Sequence, residues 1–186
     1  MSLAKPGVDP GGMFDQWNDQ LTETLNFVYY VSATSGMVLD EDYASLFMID
    51  LSTLRLPRQI NIVGQLRGLA SGLREGQPLS PATRGVIRSM LKTELLIHKE
   101  LQQSLELLRR REPALADRIQ APIDSAFMSL TGFRADLEAV TSSTNDTLVN
   151  VQNVPAKGNA VVAELYKAQD TLQEELLNRL AQRAQE

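Results

Sequence analysis

The sequence predicts an all-α fold, an elongated antiparallel helical bundle of four-helix type, built either as one bundle or as two stacked modules. Three observations predict it. Apolar residues recur at spacings of three and four along almost the whole chain, and no convincing alternating stretch appears. Glycine and proline are few, 11 and 8 of 186 residues, so long runs carry no breaker. The helices these runs predict hold about 23 to 32 residues each and span roughly 35 to 48 Å, too long for a compact globule and natural for a bundle.

The first predicted helix runs from about Met13 to Ser35, with Phe14, Trp17, Leu21, Leu25 and Val28 on one apolar stripe. The segment SGMVLDED (35–42) is a turn or break, with Gly36 and Asp40 fixing it. Asp40 or Asp42 then serves as N-cap of a second helix reaching about Leu73, whose stripe is Leu46, Ile49, Thr53, Leu56, Ile60 and Val63. Pro57 lies in mid-helix, where it removes a donor, clashes one turn back and leaves the Thr53 carbonyl without its helical partner. After the loop REGQP, Ser80 as N-cap and Pro81 at the first helical position start a third helix to about Arg111. The run Arg109–Arg111 sits where cations favour the helix dipole.

Pro113 opens a fourth segment to about Ser143, with Leu115, Ile119, Ile123, Phe127, Leu130, Phe133 and Leu137 inward, and Pro122 either kinks or splits it. SSTND and NVPAKGN read as punctuation. The last helix covers about Ala160 to the end, with Val161, Leu165, Ala168, Leu172, Leu176 and Leu180 inward. Its pattern runs through LLNRLAQRAQE without a stop signal, as in a helix cut from a longer chain, and residues 1–12 read as a leader, either appended or disordered, ahead of a single domain over 13–186.

Composition removes whole classes of function. A net charge of -5 with no basic face interleaved with aromatics argues against nucleic acid as a partner. With no cysteine there is neither a disulfide framework nor a thiol nucleophile. His98 is the single histidine, which excludes multi-histidine zinc sites and the paired Glu-x-x-His motifs of di-iron bundles, so no metal or other cofactor is expected. No window has the apolar length of a membrane span.

Several polar residues border apolar stripes. Asp50 follows Met48 and Ile49 and needs a partner if it is ionised there. Asp40, Tyr43, Asp50 and Arg55 either line a polar pocket or serve as cap and solvent-facing residues. Arg67 lies among the small residues Gly64, Gly68, Ala70, Ser71 and Gly72. Its planar fork suits a carboxylate or phosphate, and the alternative is a salt bridge to Asp50 or Glu94. Glu94 and His98 stand one turn apart near the stripe of Leu91, Leu101, Leu105 and Leu108, where a lone histidine is more often a border or core residue than a ligand. Tyr29 and Tyr30 end the first helix, where one of them reaches the same pocket or both pack.

The segment SGMVLDEDYASLFMIDLSTLRLPRQINIVGQLRGLASGL resembles the extracytoplasmic sensor region of bacterial transmembrane receptors, above all sensor histidine kinases and methyl-accepting chemotaxis proteins. The resemblance rests on Ser35, Gly36, Leu39, Asp40, Tyr43, Met48, Asp50, Leu56, Pro57, Leu66, Arg67 and Gly68, and covers about a fifth of the chain. It implies a periplasmic bundle, anchored in the inner membrane by flanking transmembrane helices of its parent protein and working as a homodimer. It further implies no enzymatic activity in this segment, a kinase or chemoreceptor output in the parent, and a small-molecule ligand such as an organic or aromatic acid near Tyr43, Asp50, Arg67 and Tyr30. DEDYASLF is less aromatic than such regions often are, so the pocket's shape need not carry over. Two other classes stand beside this reading: a ligand-free interaction or oligomerisation module, and an enzyme using Asp40, Asp42 or Asp50 as acid and base. An even number of antiparallel passes would return both ends to a membrane, whereas five segments are predicted. Either the first two or the last two then run on in one direction.

Overall fold

The computed structural model describes residues 10–35, 42–73, 79–142 and 153–185, and among them every regular element is helical. Helix α1 is Pro10–Thr34 and α2 is Tyr43–Asp50. A π-helical turn, Leu51–Arg55, joins α2 to α3, Leu56–Ser71, so that the three form one rod. Helices α4, Pro81–Arg111, α5, Pro113–Ser142, and α6, Val154–Arg183, complete the chain.

Local chemistry accounts for the boundaries. Asp42, and not Asp40, caps α2, its carboxylate accepting from the Ser45 N–H at 3.1 Å. Gly36 and Asp40, expected to fix the preceding turn, lie outside the described residues, as does the loop REGQP. Ser80 Oγ accepts from the Thr83 N–H at 3.0 Å and Pro81 occupies the first turn, as the sequence predicts. Pro122 stays inside α5 without splitting it. Helix α6 begins at Val154 rather than Ala160. Proline costs nothing in a first turn, where its N–H would have no helical acceptor, so the Asn153-Val154-Pro155 stretch starts a helix instead of separating two. At the other end of the chain, Pro10 to Gly12 are helical, and the rest of the expected leader lies outside the described residues.

Side-chain pairs fix the topology. Along the second rod and α4, Asp50 meets Ser104, Arg55 meets Glu100 and Gln59 meets Glu94. Between α4 and α5 the pairs are Arg88 with Thr141, Glu94 with Arg134, and His98 with Phe127. Arg118 meets Glu175, Ser125 meets Glu164 and Asp136 meets Lys157 across α5 and α6. Arg179 then meets Asp42 and Gln169 meets Ser52, returning α6 to the second rod. In every series one number rises as the other falls, so the four rods form an up-down-up-down bundle closed on itself. The α5 and α6 segments therefore do not run on in one direction. Most residues of the stripes predicted for these rods lie in the core, with Ile49, Leu101, Phe133 and Leu165 among its fully buried side chains, each contributing roughly 1.5–3 kcal/mol by leaving water. Leu46 and Thr53 are only partly buried, and Met48 and Leu66 join the core from outside the predicted stripe.

Because four rods already enclose the core, α1 packs outside them, against the π turn and α3. It docks through the face carrying Leu25, Tyr29 and Ser32. Of the stripe predicted to point inward, Leu25 docks and three other residues do not. Trp17 is 62% exposed, and Leu21 and Val28 are exposed as well. At 100° per residue, Leu25 and Ser32 lie roughly 60–80° around the helix from Trp17, so α1 is rotated to leave its apolar arc in solvent.

Candidate functional site

The residues singled out for a ligand pocket do not converge. Asp50 and Arg67 lie on one continuous rod, 17 positions apart, which at 1.5 Å per residue separates them by about 25 Å. Asp50 is matched by Arg55 and lies 3.4 Å from the Ser104 hydroxyl. Tyr43 is 62% exposed and has the Arg111 guanidinium carbon 5.7 Å from its ring centroid, a cation–π contact at the end of the bundle. Tyr30 is 63% exposed, on the solvent side of α1. The Arg67 stem is packed against Gly158 of α6: a Cβ built at 158 would meet Arg67 Cγ at 2.9 Å and Phe133 Cε2 at 3.1 Å. The close approach is thus between Arg67 and Gly158 of α6, whereas Gly64 has nothing within 4 Å of a built Cβ.

Pro57 acts differently from the expectation. In the π turn the Leu56 N–H bonds the carbonyl five residues back, Leu51 O, so the carbonyl that Pro57 leaves without a donor is Ser52 O rather than Thr53 O. Gln169 Nε2 of α6 donates to Ser52 O at 2.7 Å in the core. A helix irregularity that would strand a buried carbonyl is satisfied from the neighbouring rod.

Below this turn is a buried polar cluster from three helices. Glu94 is 0% exposed and accepts from Arg134 Nε and Nη2, both at 2.8 Å, and from Gln59 Nε2 at 2.7 Å. This bidentate pair plus an amide is the satisfaction a buried carboxylate needs. His98, one turn on, meets the Phe127 ring edge-on at 4.5 Å. Burial first, then the Arg134 charge, lowers its pKa below the ordinary histidine value, against the opposing pull of Glu94. At the end of the bundle Arg179 holds the Asp42 carboxyl well below the usual carboxylate range, with Ser45 assisting against a smaller effect of burial. The charged groups are matched to one another, as in a structural network, whereas His98 Nδ1 and Gln59 Oε1 are buried without a hydrogen-bond partner among the described residues. Among the described residues no group of three or more His, Asp or Glu could hold a metal.

Open space lies elsewhere. A cleft of about 430 Å³ separates α1 from α3 and α4, within the range of small-molecule sites. Asn26 and Tyr29 of α1, Thr53 of the π turn, Arg58, Asn61 and Gln65 of α3, and Thr93 of α4 are its main polar groups; Leu25, Leu54, Ile62 and Ile97 supply apolar wall. Arg58 is the only charged residue among the described residues that line it. Of the two tyrosines predicted to end α1, the structure takes Tyr29 to the cleft and leaves Tyr30 outside. Arg58, Asn61 and Gln65 stand at i, i+3 and i+7 and so share one face of α3, a polar stripe that sequence inspection alone would pass over as solvated surface.

No helix among the described residues is long and apolar enough to cross a membrane. Comparison with protein-family models, curated proteins and solved structures finds no match to this chain.

Proposed function

We propose that the chain is the periplasmic ligand-sensing domain of a two-component sensor histidine kinase, a non-enzymatic, homodimeric module whose parent is anchored by flanking transmembrane helices. The observation that carries this reading is the cleft beside α1. It is of ligand size, it lies between an added helix and the outer face of the closed four-rod bundle, and it borders the one π turn among the described residues. A ligand bridging α1 to Thr53 and Leu54 would favour one placement of α1 and one arrangement of that turn. The turn is joined to α6 through Gln169, so a displacement of an angstrom or two has a path to the last helix. The resemblance over Ser35 to Leu73 supports the same class, with a chemoreceptor output equally compatible. A thermal-shift screen of small metabolites tests the reading. Some compound should raise the melting temperature of the wild type, and Asn61→Trp, which fills the cleft, should abolish the rise while the protein remains folded. A rise that persists in Asn61→Trp removes the cleft from the account.

A second reading has its own observation. Trp17, Leu21, Phe27, Val28 and Val31 form an exposed apolar arc on α1, and such an arc on a bundle also suits a module that only binds protein. If no compound stabilises the wild type and dimerisation is lost in Trp17→Asp, this reading replaces the first.

A further inference from the structure

We infer that the cleft selects a small monocarboxylate with an apolar body, held by Arg58, and that Glu100 is a built-in competitor for the same guanidinium. This inference rests on the ligand-sensing reading and names the ligand class of that site. Three observations carry it.

First, among the described residues the cleft wall contains one cation and no carboxylate, so a negative charge is matched there once and a positive charge not at all. Second, Arg58 is poorly engaged. Its nearest ion-pair partner among the described residues is Glu100, with Nη1 to Oε2 at 3.7 Å, beyond hydrogen-bond distance, and it has no hydrogen bond to a described residue. Glu100 is shared, since Arg55 Nη1 approaches the same Oε2 at 3.6 Å and Arg55 is already paired with Asp50. A half-exposed carboxylate held loosely between two guanidinium groups yields Arg58 readily to a ligand that can engage it bidentately. Third, the remaining wall divides by chemistry. The side-chain amides of Asn26 and Asn61 supply donors for a second contact, whereas the Thr22, Thr53 and Thr93 hydroxyls already donate to carbonyls of their own helices. Leu25, Leu54, Ile62 and Ile97 supply an apolar surface for the ligand's body. A dianion would leave its second charge facing Glu100 or the apolar wall, and an amine would meet Arg58 with like charge.

Titration calorimetry on the 186-residue chain tests this, with benzoate and hexanoate as probes and benzamide, hexanamide, succinate and benzylamine as comparators. At least one of the two acids should bind saturably, and its amide should bind at least about tenfold more weakly. Arg58→Gln should abolish binding of the acid, Glu100→Gln should tighten it several-fold, and Arg67→Gln should leave it unchanged. The substituted side chains of 58 and 100 are half-exposed, so all variants are expected to fold, and circular dichroism melts check this. Equal affinity for acid and amide, undiminished binding in Arg58→Gln, or no binding of either acid at millimolar concentration overturns the inference. Hydrogen exchange separates it from the sensing reading. Acid binding that leaves exchange in α6 unchanged keeps the carboxylate site and removes the sensing reading. A neutral compound that binds and alters α6 keeps sensing and overturns the carboxylate class.

Discussion

Glu94 illustrates how a residue next to an apolar stripe becomes part of the core. The sequence places it one turn from His98 and offers it, beside Asp50, as a salt-bridge partner of Arg67. The partner is Arg134, 40 positions away on α5, and no local pattern could have revealed that. Because the pair is buried and bidentate, Arg134→Ala leaves a fully buried carboxylate with a single amide donor. It should cost roughly 3–5 kcal/mol in urea unfolding. Replacing both residues, Glu94→Leu with Arg134→Met, should recover most of that loss, since an apolar pair of similar volume needs no partners. His98 makes a second prediction. Its pKa is lowered in the fold, so both states are uncharged above about 6.5 and its neutral burial contributes in full there. Below that value the unfolded chain takes up the proton first, and stability falls until the pH passes the depressed folded pKa. The wild type should therefore lose stability as the pH falls below about 6.5, and His98→Leu should flatten that part of the profile.

Elements were legible to the extent that caps and stripes are local. Ser80-Pro81 and the Arg109–Arg111 end bound α4 as read, and the inner faces of α5 and α6 are the predicted ones. Three features were not legible, each for a stated reason. Pro57 is resolved by a π turn because Gln169, 117 residues away, can satisfy the freed carbonyl. Gln169→Leu should cost about 1–3 kcal/mol by stranding Ser52 O, and less in a Pro57→Ala background, where residue 57 regains a donor for it; additive losses in the double variant would refute this coupling. Gly158 is forced by the passage of Arg67. Gly158→Ala should destabilise by roughly 1–3 kcal/mol and be partly rescued by Arg67→Ala, whereas Gly64→Ala and Gly132→Ala, with nothing near a built Cβ, should stabilise by about 0.5–1 kcal/mol. Finally, the stripe of α1 has the correct period but is turned so that Leu25 docks while Trp17, Leu21 and Val28 face solvent. Periodicity finds an apolar face but cannot say whether this chain's own core covers it.

At the scale of the molecule, the all-α class and four-helix architecture follow from long uninterrupted periods, and the antiparallel closure follows from pairs that link each rod to the next. The candidate site was less legible. Tyr43, Asp50 and Arg67 were grouped by the family resemblance, yet one continuous rod keeps Asp50 and Arg67 apart. The cleft instead joins α1 to a face of α3 and to Thr93 of α4, a combination that only packing brings together. What remains is whether occupation of that cleft moves the bundle. The chain has no cysteine, so a pair introduced at Glu23 of α1 and Glu174 of α6 carries spin labels at two defined, exposed positions. Pulsed dipolar distances, recorded with and without saturating concentrations of a cleft-bound compound, should show the mean separation shift by about 1–2 Å or its distribution narrow. Superimposable distributions, with the compound bound at the cleft, would contradict the account.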